Sequence, residues 1–184
     1  MLNTLMEIGK QFNEEKILWG VGASLVLNFY GLIDDPHDID LIISIKDVKK
    51  ADRILSRLGT KVSGEDDKSY STRYFYEYKI NDIDIDFMAG FIINHECGSY
   101  EYKFDQKSIT LKKYLKNIEI PLTSLEDWYI IYQLLKNRQT KVELIENYLL
   151  KYGIKNKFLL ERALVQNLPY HVKLKIKNLM RYTK

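Results

Sequence analysis

Three aspartates, Asp38, Asp40 and Asp86, lie beside apolar runs, where an ionised carboxylate is uncommon. Asp38 and Asp40 open the segment DIDLIIS, and Asp86 lies within IDIDFMAGF. Both segments have the pattern of strands, so Asp38 and Asp40 project from one face and repel each other. Buried carboxylates are usually paired or metal-bound, and Mg²⁺ commonly takes one or two of them with water and phosphate oxygens. The spacing predicts a divalent metal site, with a polar strand edge facing water as the alternative.

A second acidic face follows on a later segment. Asp82, Asp84 and Asp86 alternate with apolar residues in INDIDIDF. On a strand, this alternation places Asp84 and Asp86 on the same face. Asp86 is the deeper of the two, so we expect it to complete the metal site from another strand. Asp84 is the substitute if Asp86 points away.

A glycine-containing turn precedes the acids. Gly20 and Gly22 occur in WGVGAS, between a short apolar run and a longer one, and Ser24 follows them. Free backbone N–H groups and the dipole at the start of a helix can hold a phosphate. The order of glycine turn, helix, Asp-x-Asp strand and later lone aspartate predicts a triphosphate cradle beside a carboxylate metal site.

The elements that position these motifs are predicted from periodicity and from helix and turn signals. The first half is expected to contain an amphipathic helix over residues 2–15, a strand in KILWG stopped by Gly20, a buried helix in GASLVLNFYG, the DIDLIIS strand and a helix in KDVKKADRILSRLG. YSTRYFYEYKI and IDIDFMAGFII should form two strands joined by a turn at Asn81 and Asp82.

The second half changes from strands to helices. Residues 94–122 include two candidate strands, SYEYKF and IEIPL, with Pro121 expected to end the extended structure. Four helices are then expected near 124–137, 140–152, 156–167 and 169–182. The chain is therefore predicted to have an α/β domain over residues 1–122, with a mixed sheet and flanking helices, and a helical C-terminal subdomain over residues 123–184.

Composition is that of an ordinary globular protein. The formal net charge is +3, and the single cysteine, Cys97, rules out an intrachain disulfide, which fits a reducing cytoplasm. No apolar run approaches the ~20 residues of a membrane span, and the N-terminus lacks the features of a signal peptide. We therefore expect a cytoplasmic location and no membrane partner. Residues 166–184 contain lysine and arginine but no acid, which is typical of a solvated helix face or of a phosphate-binding surface.

The segment GVGASLVLNFYG…PHDIDLII resembles the signature of the DNA polymerase beta-like nucleotidyltransferase superfamily. The wording PHDIDL is closest to small antibiotic-modifying members, such as lincosamide and aminoglycoside nucleotidyltransferases. The downstream segment IPLTSLEDWYIIYQLLKNRQTKVELI resembles the C-terminal helices of such proteins and of abortive-infection-type toxins. The resemblance covers about residues 15 to 150, and it indicates the fold rather than the substrate.

The resemblance implies a set of site residues. It assigns metal binding and catalysis to Asp38, Asp40 and Asp86, and nucleotide and phosphate binding to Gly20, Gly22, Ser24, Lys136 and Arg138. The chain departs from the family pattern because a second adjacent glycine is replaced by Val21, and a basic residue expected before the acids is missing. For Lys136 and Arg138, a solvated helix face is the alternative.

The implied reaction is transfer of a nucleoside monophosphate from a nucleoside triphosphate to an acceptor hydroxyl, with release of pyrophosphate. Two Mg²⁺ ions about 3.5–4 Å apart, which Mn²⁺ can replace, would stabilise the entering and leaving oxygens. The acceptor is not specified by the sequence, and nucleic acid stays open as one. Two alternatives remain: a catalytically degenerate relative that binds a nucleotide or a partner, and a toxin-like enzyme that acts on RNA or protein.

Overall fold

A seven-stranded mixed sheet forms the centre of the first of two units. The computed structural model describes residues 1–62 and 70–183. The first unit comprises the described residues of 1–66, together with 72–91 and 103–123, and the second comprises those of 67–71, together with 92–102 and 124–184. The strand order in the large sheet is β3-β4-β5-β2-β1-β9-β8.

The bounds of the elements in the first unit follow the chain. They are α1 (Leu2–Glu14), β1 (Trp19–Val21), α2 (Ala23–Phe29), β2 (Ile39–Ile43), α3 (Val48–Leu58), β3 (Thr60–Val62), β4 (Tyr74–Ile80), β5 (Ile83–Ala89), β8 (Ile109–Leu115) and β9 (Ile118–Thr123), with short 3-10 turns at Ile45–Asp47 and Gln106–Ser108. The second unit contains the hairpin β6 (Ile92–His95) and β7 (Gly98–Glu101), followed by α4 (Leu125–Leu134), α5 (Gln139–Tyr152), α6 (Lys157–Leu164) and α7 (Tyr170–Tyr182).

The centre of the large sheet is formed by strands that are apolar along their length. All five residues of β2 are buried, which explains why DIDLIIS reads as a continuous apolar run after its first acid. β2 is antiparallel to β1 and parallel to β5. The turn between β4 and β5 consists of Asn81 and Asp82, both with positive φ, as a two-residue hairpin loop requires. This turn fixes the register of the two strands that flank it.

Two strand predictions were wrong in position. The strand in KILWG was expected to stop at Gly20, whereas β1 runs from Trp19 to Val21. Pro121 was expected to end the extended structure, yet β9 continues through it to Thr123. Proline is tolerated there because β1 pairs with β9 only at Val21 and Leu122, so few N–H donors are needed on that side.

The helices of the second unit pack around buried aromatic and aliphatic side chains. These include Trp128, Tyr129, Ile131, Ile145, Leu160 and Ile176. Ser124 begins α4 by accepting a hydrogen bond from the backbone N–H of Asp127 at 2.9 Å. Asp127 is fully buried, with Arg162 at 3.6 Å. Burial raises the pKa of Asp127 to about 7 although Arg162 opposes the change.

No helix in the described ranges, 1–62 and 70–183, has both the length and the apolar character needed to cross a membrane. The four helices expected after Thr123 are confirmed, with ends that differ by a few residues. Strand β8 had not been predicted, because ITLKKYL alternates only weakly between apolar and charged residues.

Candidate active site

A row of carboxylates crosses three adjacent strands of the large sheet. Asp40 on β2 is paired with Asp86 on β5, and Asp86 is paired with Glu77 on β4. Directly opposed residues on neighbouring strands project from the same face of a sheet. Asp40 is only 8% exposed, whereas Asp86 and Glu77 are half-buried. The fold therefore brings Asp40 and Asp86 together from separate parts of the chain.

Asp38 adjoins this row from the residue before β2. The hydroxyl of Ser24, near the start of α2, donates a hydrogen bond to Oδ1 of Asp38 at 3.2 Å. Asp38 is also near enough to Asp86 for its charge to raise the pKa of Asp86. Ser24 thus connects the first turn of α2 to the predicted metal ligands, which is the arrangement expected of a triphosphate cradle beside them.

The electrostatics of Asp86 show that the row has more negative charge than it can neutralise. Its pKa is raised from 3.8 to about 6, first by burial and then by the charges of Asp38, Glu77 and Asp84. A carboxylate surrounded by like charges binds either a proton or a cation more readily than an isolated one. This position is therefore suited to a group that neutralises charge.

Asp84 has a different environment from Asp86 although the two share a strand face. Asp84 is exposed, and its Oδ1 lies 3.2 Å from Nζ of Lys79, its partner across the hairpin. Asp86 instead faces Glu77. The substitute role proposed for Asp84 is thus less favoured, since a lysine already neutralises its charge.

Gly20 and Gly22 occupy two different kinds of position. Gly20 lies within β1, where an added Cβ would come within 3.0 Å of Cγ2 of Thr123 on β9. Gly22 ends the strand, and its N–H donates to the carbonyl oxygen of Asp40 at 2.8 Å. Gly20 therefore allows close packing of β1 on β9, while Gly22 connects the turn to the acidic strand.

Ala23 has an unusual backbone conformation at the start of α2. Its φ is 44°, in the left-handed region that residues with a Cβ adopt at a cost. Such conformations cost of order 1–3 kcal/mol and are found mostly where a function requires them. The strained residue lies between Gly22 and Ser24, which are both predicted to contact phosphate.

The donor set can be tested against magnesium. Within the described residues, no group of three or more His, Cys, Asp or Glu side chains is arranged to hold a metal ion. A metal cage made of protein alone is therefore not formed. Mg²⁺ needs no such cage, because it usually takes one or two carboxylates and completes its coordination with water and substrate phosphates. The hard oxygen donors Asp38, Asp40 and Asp86 fit a magnesium ion that binds together with a triphosphate.

Lys136 and Arg138 belong to the second unit, in the turn between α4 and α5. Both are exposed, and Nη1 of Arg138 donates a hydrogen bond to the carbonyl oxygen of Asn137 at 3.4 Å. Their proposed role in phosphate binding stays a prediction.

Glu77 was missed by the sequence analysis, although the sequence contains a signal for it. Once Asn81 and Asp82 are taken as a two-residue turn, Ile80 pairs with Ile83, and counting outwards pairs Glu77 with Asp86. The hairpin had been predicted, but its register had not been followed to the acids.

Comparison with known proteins supports a single fold. No family model and no curated protein matches the sequence. Among solved structures, a Thermotoga maritima protein that has been proposed to be a nucleotidyltransferase matches with a TM-score of 0.61 and 27% identity, over 82% of this chain and 92% of that one.

Two antibiotic-modifying enzymes also match. ANT(2'')-Ia in complex with adenylyl-2''-tobramycin has a TM-score of 0.58 and 13% identity, over 99% of this chain and 98% of that chain. The lincosamide antibiotic adenylyltransferase LnuA, bound to lincomycin, has a TM-score of 0.55 and 16% identity, over 79% of this chain and 96% of that chain. At these identities they show the fold alone. The expected superfamily resemblance and the mixed α/β class are confirmed at that level.

Proposed function

We propose that this chain, which has the nucleotidyltransferase fold, transfers a nucleoside monophosphate from a magnesium-bound nucleoside triphosphate to an acceptor hydroxyl. The observation that carries the proposal is the pairing of Asp40 with Asp86 across β2 and β5, with Asp38 near enough to affect the pKa of Asp86. Three residues singled out from separate motifs thus act on one another in the fold.

Asp38 and Asp40 would hold the magnesium ions, and Asp86 would contribute to one of them. Magnesium, when bound, would neutralise the negative charge of the phosphates and of the leaving pyrophosphate. Asp40 is suited to a fixed ligand because it is nearly buried on a central strand. Asp38 is oriented by the hydroxyl of Ser24.

In the transfer step, the acceptor oxygen forms a bond to the α-phosphorus while the bond from that phosphorus to the bridging oxygen of the β-phosphate breaks. Pyrophosphate leaves with the electron pair of the broken bond. The acceptor proton passes to a carboxylate oxygen of Asp86 and then to solvent. A pKa raised to about 6 makes Asp86 a stronger base than an ordinary aspartate while leaving it mostly ionised at neutral pH.

The turn before α2 would bind the triphosphate. Gly22 and Ser24 would contact phosphate oxygens, and Gly20 would support them by packing β1 on β9. Lys136 and Arg138 would add positive charge, because phosphoryl transfer is catalysed largely by positioning and electrostatics.

The test is a transfer assay with α-labelled nucleoside triphosphates, Mg²⁺ and a pool of hydroxyl acceptors. ATP should be tried first, and the pool should include tobramycin and lincomycin, because two of the fold neighbours are described with these compounds or their adducts. RNA, protein and a cell metabolite extract complete the pool. We expect a labelled acceptor and pyrophosphate, both dependent on Mg²⁺.

Asp40→Asn and Asp86→Asn should abolish transfer. Asp82→Asn is the matched control, because Asp82 is exposed in the turn of the same hairpin and asparagine suits its positive φ. Triphosphate binding without transfer to any acceptor would favour the degenerate binding protein. Equal activity of the three variants would exclude the acid row as the site.

A further inference from the structure

Helix α7 presents a stripe of unusual composition on its outer side. Tyr170, Leu174, Lys177 and Arg181 follow one another at spacings of four, three and four residues, which places them on one side of a helix. Tyr170 is 80% exposed and Leu174 is 45% exposed, while Lys177 and Arg181 are also exposed. We call these four residues the α7 stripe.

The opposite side of α7 is already used for folding. Val172, Ile176 and Leu179 are buried within the second unit. The helix therefore owes its stability to that face, and the α7 stripe does not contribute to the core. A large aromatic side chain with four-fifths of its surface exposed is not explained by packing.

The cations of α7 lack acidic partners, unlike many lysines of the first unit. In the first unit, Lys50, Lys61, Lys79 and Lys112 each lie within 4.0 Å of a carboxylate. Among the described residues of the second unit, Arg162 alone of the lysines and arginines has such a partner. The sequence explains the difference, since no aspartate or glutamate follows Glu161. The positive charge of α7 is thus available to an external anion.

We propose that the α7 stripe binds single-stranded nucleic acid. Lys177 and Arg181 would contact backbone phosphates, and Tyr170 would stack on an unpaired base. Phosphate contacts supply most of the sequence-independent affinity for nucleic acids, and base stacking on an exposed aromatic ring requires a strand whose bases are unpaired. RNA and DNA share these features, so the stripe fits both.

An anionic membrane is the less suitable partner. A helix that lies on a bilayer inserts an apolar face between the lipids. The apolar face of α7 is occupied by the second unit, and on the stripe itself Leu174 is the single aliphatic residue. The surface therefore suits a soluble polyanion with aromatic bases.

The test is fluorescence anisotropy of the full chain with labelled single-stranded RNA and DNA of mixed sequence, without Mg²⁺ or triphosphate. Failure of this assay would consequently leave the proposed transfer reaction unaffected. Each phosphate contact with a single strand contributes about 0.7 to the slope of log K against log salt, so Lys177→Gln with Arg181→Gln should reduce the slope by about 1.4. Affinity at 0.1 M salt should fall about 25-fold on the same relation.

The matched control is Lys10→Gln with Lys49→Gln, which removes the same charge from two exposed positions of the first unit. It should bind nearly as well as the wild type. Tyr170→Ala should weaken binding at least about fivefold without changing the salt slope, because stacking is not electrostatic. All three variants replace exposed residues, and an unchanged melting temperature would verify that each is folded.

Preference for RNA or for DNA would identify which nucleic acid the stripe serves. Equal weakening by the control pair would show that overall charge, not the stripe, attracts the strand, and would overturn the proposal. Tighter binding to duplex than to single strands, to phosphatidylserine vesicles than to either, or no binding at all would overturn it as well.

Discussion

Replacing Asp86 with asparagine should stabilise the metal-free protein at neutral pH and have little effect near pH 4. The folded protein raises the pKa of Asp86 from 3.8 to about 6, first through burial and then through the charges of Asp38, Glu77 and Asp84. Folding therefore favours the protonated carboxyl. Its contribution to stability is full below pH 4 and is lost as pH rises through about 6. Asparagine has a similar shape and never ionises, so the variant avoids this loss.

The size of the effect follows from the same pKa. A change from 3.8 to about 6 corresponds to about 3 kcal/mol if none of it is screened. Asp86 is partly exposed, and screening by water and salt should reduce the difference to about 1–2 kcal/mol at pH 7. Asp127 also has a raised pKa, but it is present in both proteins and cancels from the comparison.

The assay is urea unfolding of the wild type and Asp86→Asn in the presence of a chelator, at half-unit steps from pH 4 to pH 8. The difference in unfolding free energy should grow through pH 5 and 6 and then level off. Asp82→Asn, in the exposed turn of the same hairpin, should show no such rise. A difference that is independent of pH would refute the idea that crowded carboxylates oppose the ionisation of Asp86.

Three further predictions follow from other contacts. Glu77→Gln should lower the pKa of Asp86, because it removes a facing negative charge; an unchanged carboxyl titration by ¹³C NMR would contradict this. Gly59→Ala should cost about 1–3 kcal/mol in urea unfolding, since its Cβ would lie 2.2 Å from the carbonyl oxygen of Lys79; a stable variant would show that β4 yields easily. Ser124→Ala should cost about 1 kcal/mol through the loss of the α4 N-cap, and a smaller loss of helix stability in hydrogen exchange would argue against that cap.

The elements with strong periodicity or clear turn chemistry were predictable from sequence. The buried helix after WGVG, the DIDLIIS strand, the hairpin at Asn81 and Asp82 and the four C-terminal helices are all present. Local signals were sufficient there, because apolar spacing and turn residues act over short distances. Strand β8 and the passage of β9 through Pro121 depend on pairing with distant strands, which local patterns do not encode.

The site was predictable in its residues but not in its details. Asp38, Asp40 and Asp86 were identified from their alternation with apolar residues, and the sheet register pairs Asp40 with Asp86. The position of Gly20 inside β1, the positive φ of Ala23 and the contact from Ser24 to Asp38 depend on how strands meet in three dimensions. Assigning Gly20 to phosphate binding on the glycine pattern alone overlooked its contact with Thr123.

The most direct test of the proposed site is a crystal structure of the chain grown with Mn²⁺ and a non-hydrolysable triphosphate. Anomalous scattering would locate the metal without assumptions about the protein. We expect a manganese peak bound by the carboxylates of Asp38 and Asp40, with the triphosphate over Gly22 and Ser24 and Asp86 facing the α-phosphate. A triphosphate bound elsewhere, or a metal held by other residues with Asp38 and Asp40 unliganded, would contradict the proposal that this row of acids performs nucleotidyl transfer.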